Sequence, residues 1–499
     1  MLVRKTFHQL LPTPPHKGEG SAEAILSARI GAHVTLEARA DGQIAAGFDG
    51  HSVDLGKLSA RAADRVQGLR TGLAIDSFAF GQRQTDKEIG RLVARLARHG
   101  LLEYRLGTSR GEDLVIIEPQ LPGYWPQLPQ LGDADVLVLS RFAYMHRRGN
   151  DMVLESPRAA ALFRICNPKI ASTVAFLSVP QKIKQLRQRD SLPSMELLAL
   201  LVDCRILFKI DPARDVGLRA AEGDDDFILW DFHDLLFHAR STQGRHANPT
   251  GAAYPYAEVV PPPPAVRHRW PGKKIDLRKL SVAHPERSSP LARLLHRRHS
   301  TRSFDEQRPI TLPELARFLD STARVQSRSR SKIPLGSGAE PMFVYAARPY
   351  PSGGGCYALE LYLTVDKCEG LARGFYHYDA GGHALVPIAV RAHELEAALS
   401  GAEFAMGAPG APQILITIAA RFGRVSWKYS ALAYALILKD VGVLMQTFYL
   451  MATEMSLGGC AIGSADIDLF ARMTGIEFHV EGPVGQFALG RAHLLSSVE

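Results

Sequence analysis

The sequence predicts an α+β protein whose two halves have different architectures. In the first half, β-prone runs flank an Asp-Gly pair at residues 41–42, and this hairpin signal is followed by an amphipathic helix and two short strands. The second half combines strand-like runs with one long apolar helix. Prolines at 261–264 lie between the halves and are typical of a polyproline linker.

The composition is that of an ordinary globular protein, with 46% hydrophobic and 22% charged residues. Five scattered cysteines form no Cys-x-x-Cys pair, which argues against a zinc ribbon or disulfide scaffold and favours the cytoplasm. A net charge of +8 suggests an anionic partner, whether nucleic acid, an acidic peptide or a bound phosphate. Residues 1–24 lack a signal-peptide core and are expected to be disordered. Lys439 and Asp440 interrupt the longest apolar run, so no membrane span is expected.

Residues 25–130 are predicted to form a winged-helix-like module. Thr85 and Glu88 have the spacing of a capping box at a helix start. The apolar face of this helix consists of Ile89, Leu92, Val93 and Leu96. Strands are expected at residues 101–106 and 114–118. A hairpin, a helix and a two-stranded wing together predict the module.

A second winged-helix-like module is predicted at residues 131–225. Leu197, Leu198 and Leu201 lead into a strand at 206–210, as the first helix leads into the strand at 101–106. Aligning residue 101 with residue 206 gives an offset of 105, which indicates an internal duplication.

Residues 226–275 are predicted to be a docking segment followed by the proline-rich linker. The segment is acidic at residues 224–226 and aromatic at 230–238. His233 and His238 are five residues apart and would not share a helix face, so no metal site is predicted.

Residues 276–499 are predicted to be one domain. A helix is expected at 312–319, strands at 359–365 and 413–419, and a mobile serine-rich basic loop at 327–337. The segment 429–457 is apolar nearly all round and is expected to be a buried helix.

A cluster of arginines at residues 297–302 predicts a phosphate-binding motif. The planar guanidinium groups of Arg298 and Arg302 each carry several N–H donors that can bind two phosphate oxygens at once. Ser300 can add a hydrogen bond from its hydroxyl group. A solvated basic surface is the alternative explanation. No Gly-x-Gly-x-x-Gly stretch follows a strand, so a dinucleotide-binding domain is not indicated.

Four motifs in order make residues 265–495 resemble the nitroreductase superfamily. They are the arginine cluster, the Pro-Ser-Gly turn at 351–353 before an apolar strand, Trp427-Lys428-Tyr429, and the Gly-Gly-Cys-Ala-Ile-Gly motif at 458–463 with a closing strand at 487–491. Together they look most like the SagB/ThcOx branch, the azoline dehydrogenases that make thiazoles and oxazoles in modified peptides. The resemblance implies a nitroreductase-like domain with a central mixed sheet, flanking helices and a long buried helix at the centre of a homodimer.

The resemblance also implies an FMN site. By position, Arg298, His299, Ser300 and Arg302 would hold the phosphate, with Gly459 and Arg491 nearby. Residues Pro351, Ser352, Gly353 and Gly354 would approach the flavin ring. Lys428 and Tyr429 match a Lys-Tyr pair that serves as the base in this branch, either one being the base. Gly355 stands where some relatives have a polar flavin ligand, which leaves the substrate class open.

The tandem modules resemble the peptide-clamp domains of some azoline oxidases, which add a precursor's leader as a strand to their sheet. DNA binding is the competing interpretation, because Arg91, Arg95 and Arg98 lie on one predicted helix. The sequence thus predicts an FMN-dependent dehydrogenase acting on azoline rings in a ribosomally made peptide, with a cyclodehydratase as a possible partner. The alternatives are a general nitroreductase-like or other peptide dehydrogenase, and a catalytically idle peptide- or DNA-binding regulator.

Overall fold

The structure is a computed structural model, and it describes residues 24–38, 42–48, 51–188, 194–215, 225–246, 252, 254–267, 269, 271–277 and 289–492. Residues 1–23 of the predicted disordered start lie outside the described residues, whereas Ala24 is the first residue of a strand. Asp224 and Asp41 of the hairpin turn also lie outside the described residues. The chain divides into two compact units near residue 240, with Ser241–Gly244 in the second unit and Arg245–Ala247 in the first. The finer domain boundaries stay predictions.

Three antiparallel sheets form the framework of the first unit. Its strands are β1 (Ala24–Ile30), β2 (Thr35–Ala38), β3 (Gln43–Phe48), β4 (His51–Lys57), β5 (Leu73–Ala74), β6 (Leu102–Thr108), β7 (Asp113–Pro119), β8 (Val136–Leu139), β9 (Tyr144–Arg148), β10 (Asp151–Glu155), β11 (Ala161–Ile165), β12 (Gln181–Lys182) and β13 (Leu207–Ile210). Its helices are α1 (Ala60–Val66), α2 (Asp76–Ala79), α3 (Gln84–Arg98), α4 (Lys169–Phe176), α5 (Ile183–Arg187), α6 (Met195–Asp203), α7 (Asp225–Ile228) and α8 (Phe232–Ser241). The strand orders are β5-β1-β6-β7-β11-β10-β9, β12-β8-β13 and β2-β3-β4.

Helix α3 and the β6–β7 wing occur where the sequence predicts them, but the predicted capping box is wrong. The helix begins at Gln84, and its N-cap residue Arg83 makes no side-chain cap bond. Glu88 instead accepts hydrogen bonds from the backbone N and the hydroxyl of Ser59, at 2.9 and 2.7 Å. The local spacing is misleading because the partner of Glu88 lies 29 residues away.

The predicted internal repeat stays a prediction, and two features of the structure are consistent with it. Strands β5-β1-β6 of the first module and β12-β8-β13 of the second have the same order and antiparallel pairing. The backbone N of Leu101 donates to the carbonyl of Leu96 at 3.0 Å, and that of Ile206 donates to Leu201 at 2.9 Å. Both members of the second bond lie 105 residues after their counterparts. The two modules therefore share these hydrogen bonds although they share little sequence identity.

The acidic and aromatic segment after the second module forms α7 and α8. The indole of buried Trp230 stacks on the His238 ring, with centroids 5.8 Å apart. His233 is exposed and its ring contacts Asp231 at 3.2 Å, so the two histidines do not converge. The linker prolines at 261–264 are exposed and have no regular secondary structure. The docking role of this segment stays a prediction.

A six-stranded sheet in the order β18-β17-β16-β19-β21-β20 is the core of the second unit. The strands of this unit are β14 (Ser327–Lys332), β15 (Met342–Ala347), β16 (Leu359–Val365), β17 (Gly374–Asp379), β18 (Ala384–Ile388), β19 (Ile414–Arg421), β20 (Gly458–Ile462) and β21 (Glu481–Gly490). Its helices are α9 (Pro290–Arg297), α10 (Leu312–Ala323), α11 (Ala392–Met406), α12 (Phe422–Ser426), α13 (Ala433–Glu454) and α14 (Ile467–Thr474). All pairings in this sheet are antiparallel, whereas a mixed sheet was expected. Short turns join β16, β17 and β18, and such connections place successive strands antiparallel.

The serine-rich segment predicted as a mobile loop is strand β14. It pairs with β15 along its whole length, from Ser327 opposite Ala347 to Lys332 opposite Met342. Its six side chains are all exposed, so the strand has no buried face that would create a period-two apolar pattern. The loop prediction was wrong for this reason.

The long helix α13 is shorter than predicted and is covered on one face. It begins at Ala433, because the N–H of Tyr429 still closes the preceding turn onto Val425 at 2.9 Å. The buried face includes Leu444 and Phe448, whereas Val443 is 38% exposed. Among the described residues, this is the one helix long and apolar enough to cross a membrane. Within the part of the chain that the structure describes, Ala435 and Val443 are exposed and several other apolar residues of the helix are half-buried, although burial nearly all round was expected.

Candidate active site

The arginine-rich motif lies directly after α9 and runs beside the ends of β20 and β21. Ser289 caps the helix by accepting a hydrogen bond from the N–H of Ala292 at 3.1 Å. Beyond the helix, the N–H of Thr301 donates to Gly459 at 2.8 Å, and buried Phe304 forms an isolated bridge with Ala492. These contacts bring the predicted phosphate residues next to the predicted Gly459.

Tyr449 of α13 positions this motif and was not predicted as a site residue. Its hydroxyl lies 2.8 Å from the Ser300 hydroxyl and accepts a hydrogen bond from the N–H of Ala461 at 2.8 Å. The guanidinium of Arg298 lies over the Tyr449 ring, 5.1 Å from its centroid. A tyrosine in an apolar helix is the one signal in the sequence, and it does not indicate a partner 149 residues away.

The arginines of the motif differ in whether they have an acidic partner. Neither Arg298 nor Arg302 forms an ion pair with any residue that the structure describes. Arg491 instead contacts both carboxylate oxygens of Glu314, at 2.8 and 2.6 Å. His299 is exposed, and its Nδ1 lies 3.1 Å from the backbone oxygen of Arg297. Two guanidinium groups therefore remain available for an anion, whereas that of Arg491 is engaged.

The Pro-Ser-Gly turn is held to α13 by a buried carboxylate. Asp440 accepts hydrogen bonds from the Ser352 hydroxyl at 2.6 Å and from the N–H of Gly353 at 2.9 Å. The Ser352 oxygen also accepts from the N–H of Tyr357 at 2.9 Å. Pro351 is exposed at the tip of the turn. Asp440 was not predicted as a site residue, although an acidic residue inside an apolar helix is a visible signal.

Lys428 and Tyr429 pack against the glycines of this turn. Gly354 has a φ of +61°, and a Cβ placed on it would overlap with the Tyr429 hydroxyl and lie 2.8 Å from Lys428 Nζ. Lys428 Nζ donates to the carbonyl of Gly354 at 2.9 Å. A Cβ on Gly353 would lie 3.2 Å from the Leu436 side chain. Glycine at 354 thus allows Lys428 and Tyr429 to approach the turn closely, and glycine at 353 allows the turn to approach Leu436 of α13.

The Lys-Tyr pair lies in the connection between α12 and α13, and not at the start of the long helix. Lys428 Nζ is 5.5 Å from the centroid of the Tyr429 ring and 5.6 Å from that of Tyr345. Trp427 is 46% exposed and stacks on Phe343, with centroids 5.4 Å apart. An exposed ammonium among aromatic rings can hold a proton or stabilise a phenolate.

The structure gathers the predicted site residues into two groups on α13. Asp440 anchors the glycine turn with its neighbouring Lys-Tyr pair, and Tyr449 anchors the arginine motif. Nine helical residues separate the two anchors, which corresponds to about 13 Å along the axis. One helix therefore anchors both the predicted ring-side group, which is the glycine turn with Lys428 and Tyr429, and the predicted phosphate-side group, which is the arginine motif.

Two family models match this chain. That of the cyanobactin oxidase ThcOx matches residues 137–247, and that of the nitroreductase family matches residues 295–491. The protein named "Putative nitroreductase MJ1384" of Methanocaldococcus jannaschii is 30% identical over 173 residues, which are 34% of this chain and 77% of that protein. The chain belongs to the nitroreductase family. The predicted assignment to a ThcOx-type oxidoreductase of this superfamily is confirmed.

A second relative is the microcin B17-processing protein McbC of Escherichia coli. It is 28% identical over 163 residues, which are 32% of this chain and 58% of McbC. Among solved structures, the E. coli microcin synthetase McbBCD complex with truncated pro-MccB17 is 18% identical, covering 56% of this chain and 100% of that chain at a TM-score of 0.39. A nitroreductase family protein of Clostridium difficile is 15% identical, covering 40% of this chain and 84% of that chain at a TM-score of 0.26.

Proposed function

We propose that this nitroreductase-family protein is an FMN-dependent dehydrogenase that converts azoline rings of a ribosomally made peptide to azoles. The packing of Lys428 and Tyr429 onto the Gly354 turn carries this proposal. The relationship to McbC, which is named for processing microcin B17, supports a peptide substrate. The ThcOx match to residues 137–247 supports the same substrate class.

The residues of the two groups fit FMN. Arg298 and Arg302 have no acidic partner among the described residues, so they would hold the phosphate monoester, with Ser300 and His299 beside them. On the ring side, Gly354 has a positive φ and no Cβ, and the Tyr429 hydroxyl and Lys428 Nζ occupy the space that a Cβ would fill, so the pair and the turn would face the flavin ring together. When bound, FMN would supply the hydride acceptor for an oxidation without a dinucleotide.

Lys428 and Tyr429 would remove the ring proton of the azoline. Aromatisation removes a proton from one ring carbon and a hydride from its neighbour, so a base must lie beside the substrate ring. The Tyr429 hydroxyl, which lies with Lys428 against the Gly354 turn, is one candidate for this base. A desolvated Lys428 amine is the other candidate for this role.

We also propose that the active enzyme is a homodimer. The outer face of α9 exposes Leu291 and Leu295, and α13 exposes Val443. Such a face rarely remains in water in a stable protein. A second copy would cover it, and would bring the ring-side group of one chain towards the phosphate-side group of the other.

The repeated modules of the first unit would hold the leader of the precursor peptide. Antiparallel sheets with exposed edges can add an extended peptide as a further strand. A cyclodehydratase would supply the azoline rings, since the dehydrogenase needs them already formed. We place this chemistry in the cytoplasm.

The first test is the visible absorption spectrum of the purified protein and of an Arg298→Ala/Arg302→Ala variant. The wild type should show the absorption of a bound oxidised flavin. The variant should lose this absorption because it lacks the two guanidinium groups that would bind the FMN phosphate. Arg317→Ala/Arg324→Ala is the matched control, since these arginines pair with Glu454 and Asp320 on the surface. A colourless wild type that takes up no added FMN would overturn the proposal.

Retained flavin with activity on nitroaromatic compounds, but none on azoline peptides, would indicate a general nitroreductase. Loss of two hydrogens from a thiazoline peptide, measured by mass spectrometry, would support the proposed reaction.

A further inference from the structure

An apolar groove on the first module has no role in the site described above. Its volume is about 630 Å³. One wall is a face of α3 made of the small residues Gly90, Ala94 and Ala97, and the other wall is aromatic. The aromatic wall consists of Phe78, Phe80 and Trp125. The groove is on the side of α3 away from Glu88 and Arg95, which contact α1 and β4.

At the offset of the predicted repeat, the second module has larger residues at two of the three small positions on this wall. At the offset of 105 residues, Gly90 corresponds to Met195 and Ala97 corresponds to Val202. Ala94 corresponds to Ala199, which is 5% exposed in the second module, whereas Ala94 is only half-buried. The first module therefore has small residues on a helix face where the second module carries larger ones.

The rim of the groove is basic and its interior is apolar. Lys87 and Arg91 are exposed on the rim. The acidic lining residue Asp86 is buried and contacts Arg65 at 2.6 Å, so its charge is compensated. The indole N–H of Trp125 is buried and has no hydrogen-bond partner among the described residues. An occupant with an apolar side chain and flanking negative charges would match the apolar interior and the basic rim.

We propose that this groove binds an apolar segment of the leader peptide that is flanked by acidic residues. This inference rests on the proposed function and adds a side-chain anchor to the backbone pairing of the clamp. Nucleic acid is a poorer match, because phosphodiester groups gain nothing from an aromatic wall and apolar helix face. The basic rim would set which leaders bind, by attracting acidic sequences and repelling basic ones.

The test measures fluorescence anisotropy of two labelled synthetic peptides with the full-length protein. Both peptides have the same leucine and phenylalanine residues, and one carries glutamates where the other carries lysines. Gly90→Leu fills the groove, and it should be tolerated because a Cβ at Gly90 meets no atom within 4 Å and leucine favours a helix. Lys87→Glu/Arg91→Glu reverses the rim, and Arg110→Glu/Arg214→Glu is the control with the same charge change at exposed sites outside the groove.

We expect the acidic peptide to bind the wild type and the control alike, and at least tenfold more weakly to both groove variants. The rim reversal should also favour the basic peptide. Equal affinity of the acidic peptide for the wild type and both groove variants would overturn the assignment. So would a labelled DNA duplex that binds the wild type more tightly than the acidic peptide and is released by the rim reversal.

A wild type that binds the acidic peptide through the groove but does not oxidise a short thiazoline peptide would keep this inference and overturn the enzymatic proposal. A wild type that oxidises the thiazoline peptide but shows no groove-dependent binding would support the enzymatic proposal and overturn this inference.

Discussion

Asp440 shows how a single buried carboxylate can hold a glycine turn in place. The chain buries this charge inside an apolar helix, which is costly unless hydrogen bonds compensate the lost hydration. The Ser352 hydroxyl and the Gly353 N–H supply those bonds. The position of the glycine turn is thus fixed by a charged residue on a different element.

We predict that Asp440→Asn weakens FMN binding by about tenfold, or roughly 1.4 kcal/mol, because the charge-assisted bonds to the turn become neutral ones. The measurement is a flavin titration followed by fluorescence, with far-UV circular dichroism as the control for folding. An unchanged affinity in a folded variant would show that Asp440 does not position the turn.

We predict that Lys428→Ala and Tyr429→Phe retain bound flavin but lose turnover of a thiazoline peptide. Both side chains face the glycine turn, and neither belongs to the phosphate-side group. Stopped-flow reduction of the flavin by the peptide would isolate the chemical step, with a loss of at least a hundredfold expected for removal of a base. Trp427→Phe is the neighbouring control, and full activity in both variants would overturn the assignment.

At the scale of single residues, the sequence predicted the polar side chains of the motifs but not the residues that position them. Arg298 and Ser352 belong to short local patterns that can be seen in a sequence. Asp440 and Tyr449 act on partners 88 and 149 residues away, so no local pattern connects them. Such anchors become visible only when the fold brings the helix and the two motifs together.

At the scale of elements, the start of α10 is tied to the end of β21. Thr311 and Glu314 form a capping box, and Glu314 also binds Arg491. Partial burial raises the pKa of Glu314, but hydrogen bonds from Arg491 and Thr311 outweigh it and leave the pKa below its usual value of 4.5. A lowered folded-state pKa stabilises the protein above the usual glutamate range, and this contribution falls as the pH drops through that range.

We predict that Glu314→Gln lowers the free energy of unfolding at pH 7 by about 0.5–1 kcal/mol, as for other partly exposed ion pairs. The difference from wild type should shrink at pH 4, because the wild-type carboxylate then begins to lose its charge. Urea unfolding at both pH values provides the measurement. A difference that grows towards pH 4 would contradict the pKa argument.

Two elements with a buried apolar pattern were predicted from the sequence, whereas strand β14, which has no buried face, was not. Helix α3 and strand β16 each carry a buried apolar pattern. Strand β14 consists of alternating serine and basic residues with every side chain exposed, so its pairing with β15 was missed. Backbone hydrogen bonds hold such a strand in its sheet. Those bonds require no particular amino-acid pattern, so the sequence does not reveal them.

At the scale of the whole molecule, a duplication in the first unit was predicted from two leucine-rich helices that each precede a strand. The matching strand orders could not be foreseen, because they depend on pairings between segments far apart in the chain. The uncovered face of α13 likewise required the structure, since composition alone predicted burial on all sides.

That uncovered face makes the assembly testable. We predict that Val443→Lys converts a dimeric wild type to a monomer and abolishes flavin binding, although it changes no residue of either group. A lysine there would have to be buried between two copies of α13, whereas in a monomer it stays in water. Analytical ultracentrifugation and the visible spectrum of the same sample provide the measurements, with Val386→Lys on exposed β18 as the control. A monomer that keeps its flavin would mean that one chain's two groups form a complete site about 13 Å long, and the second copy would then have no part in binding FMN.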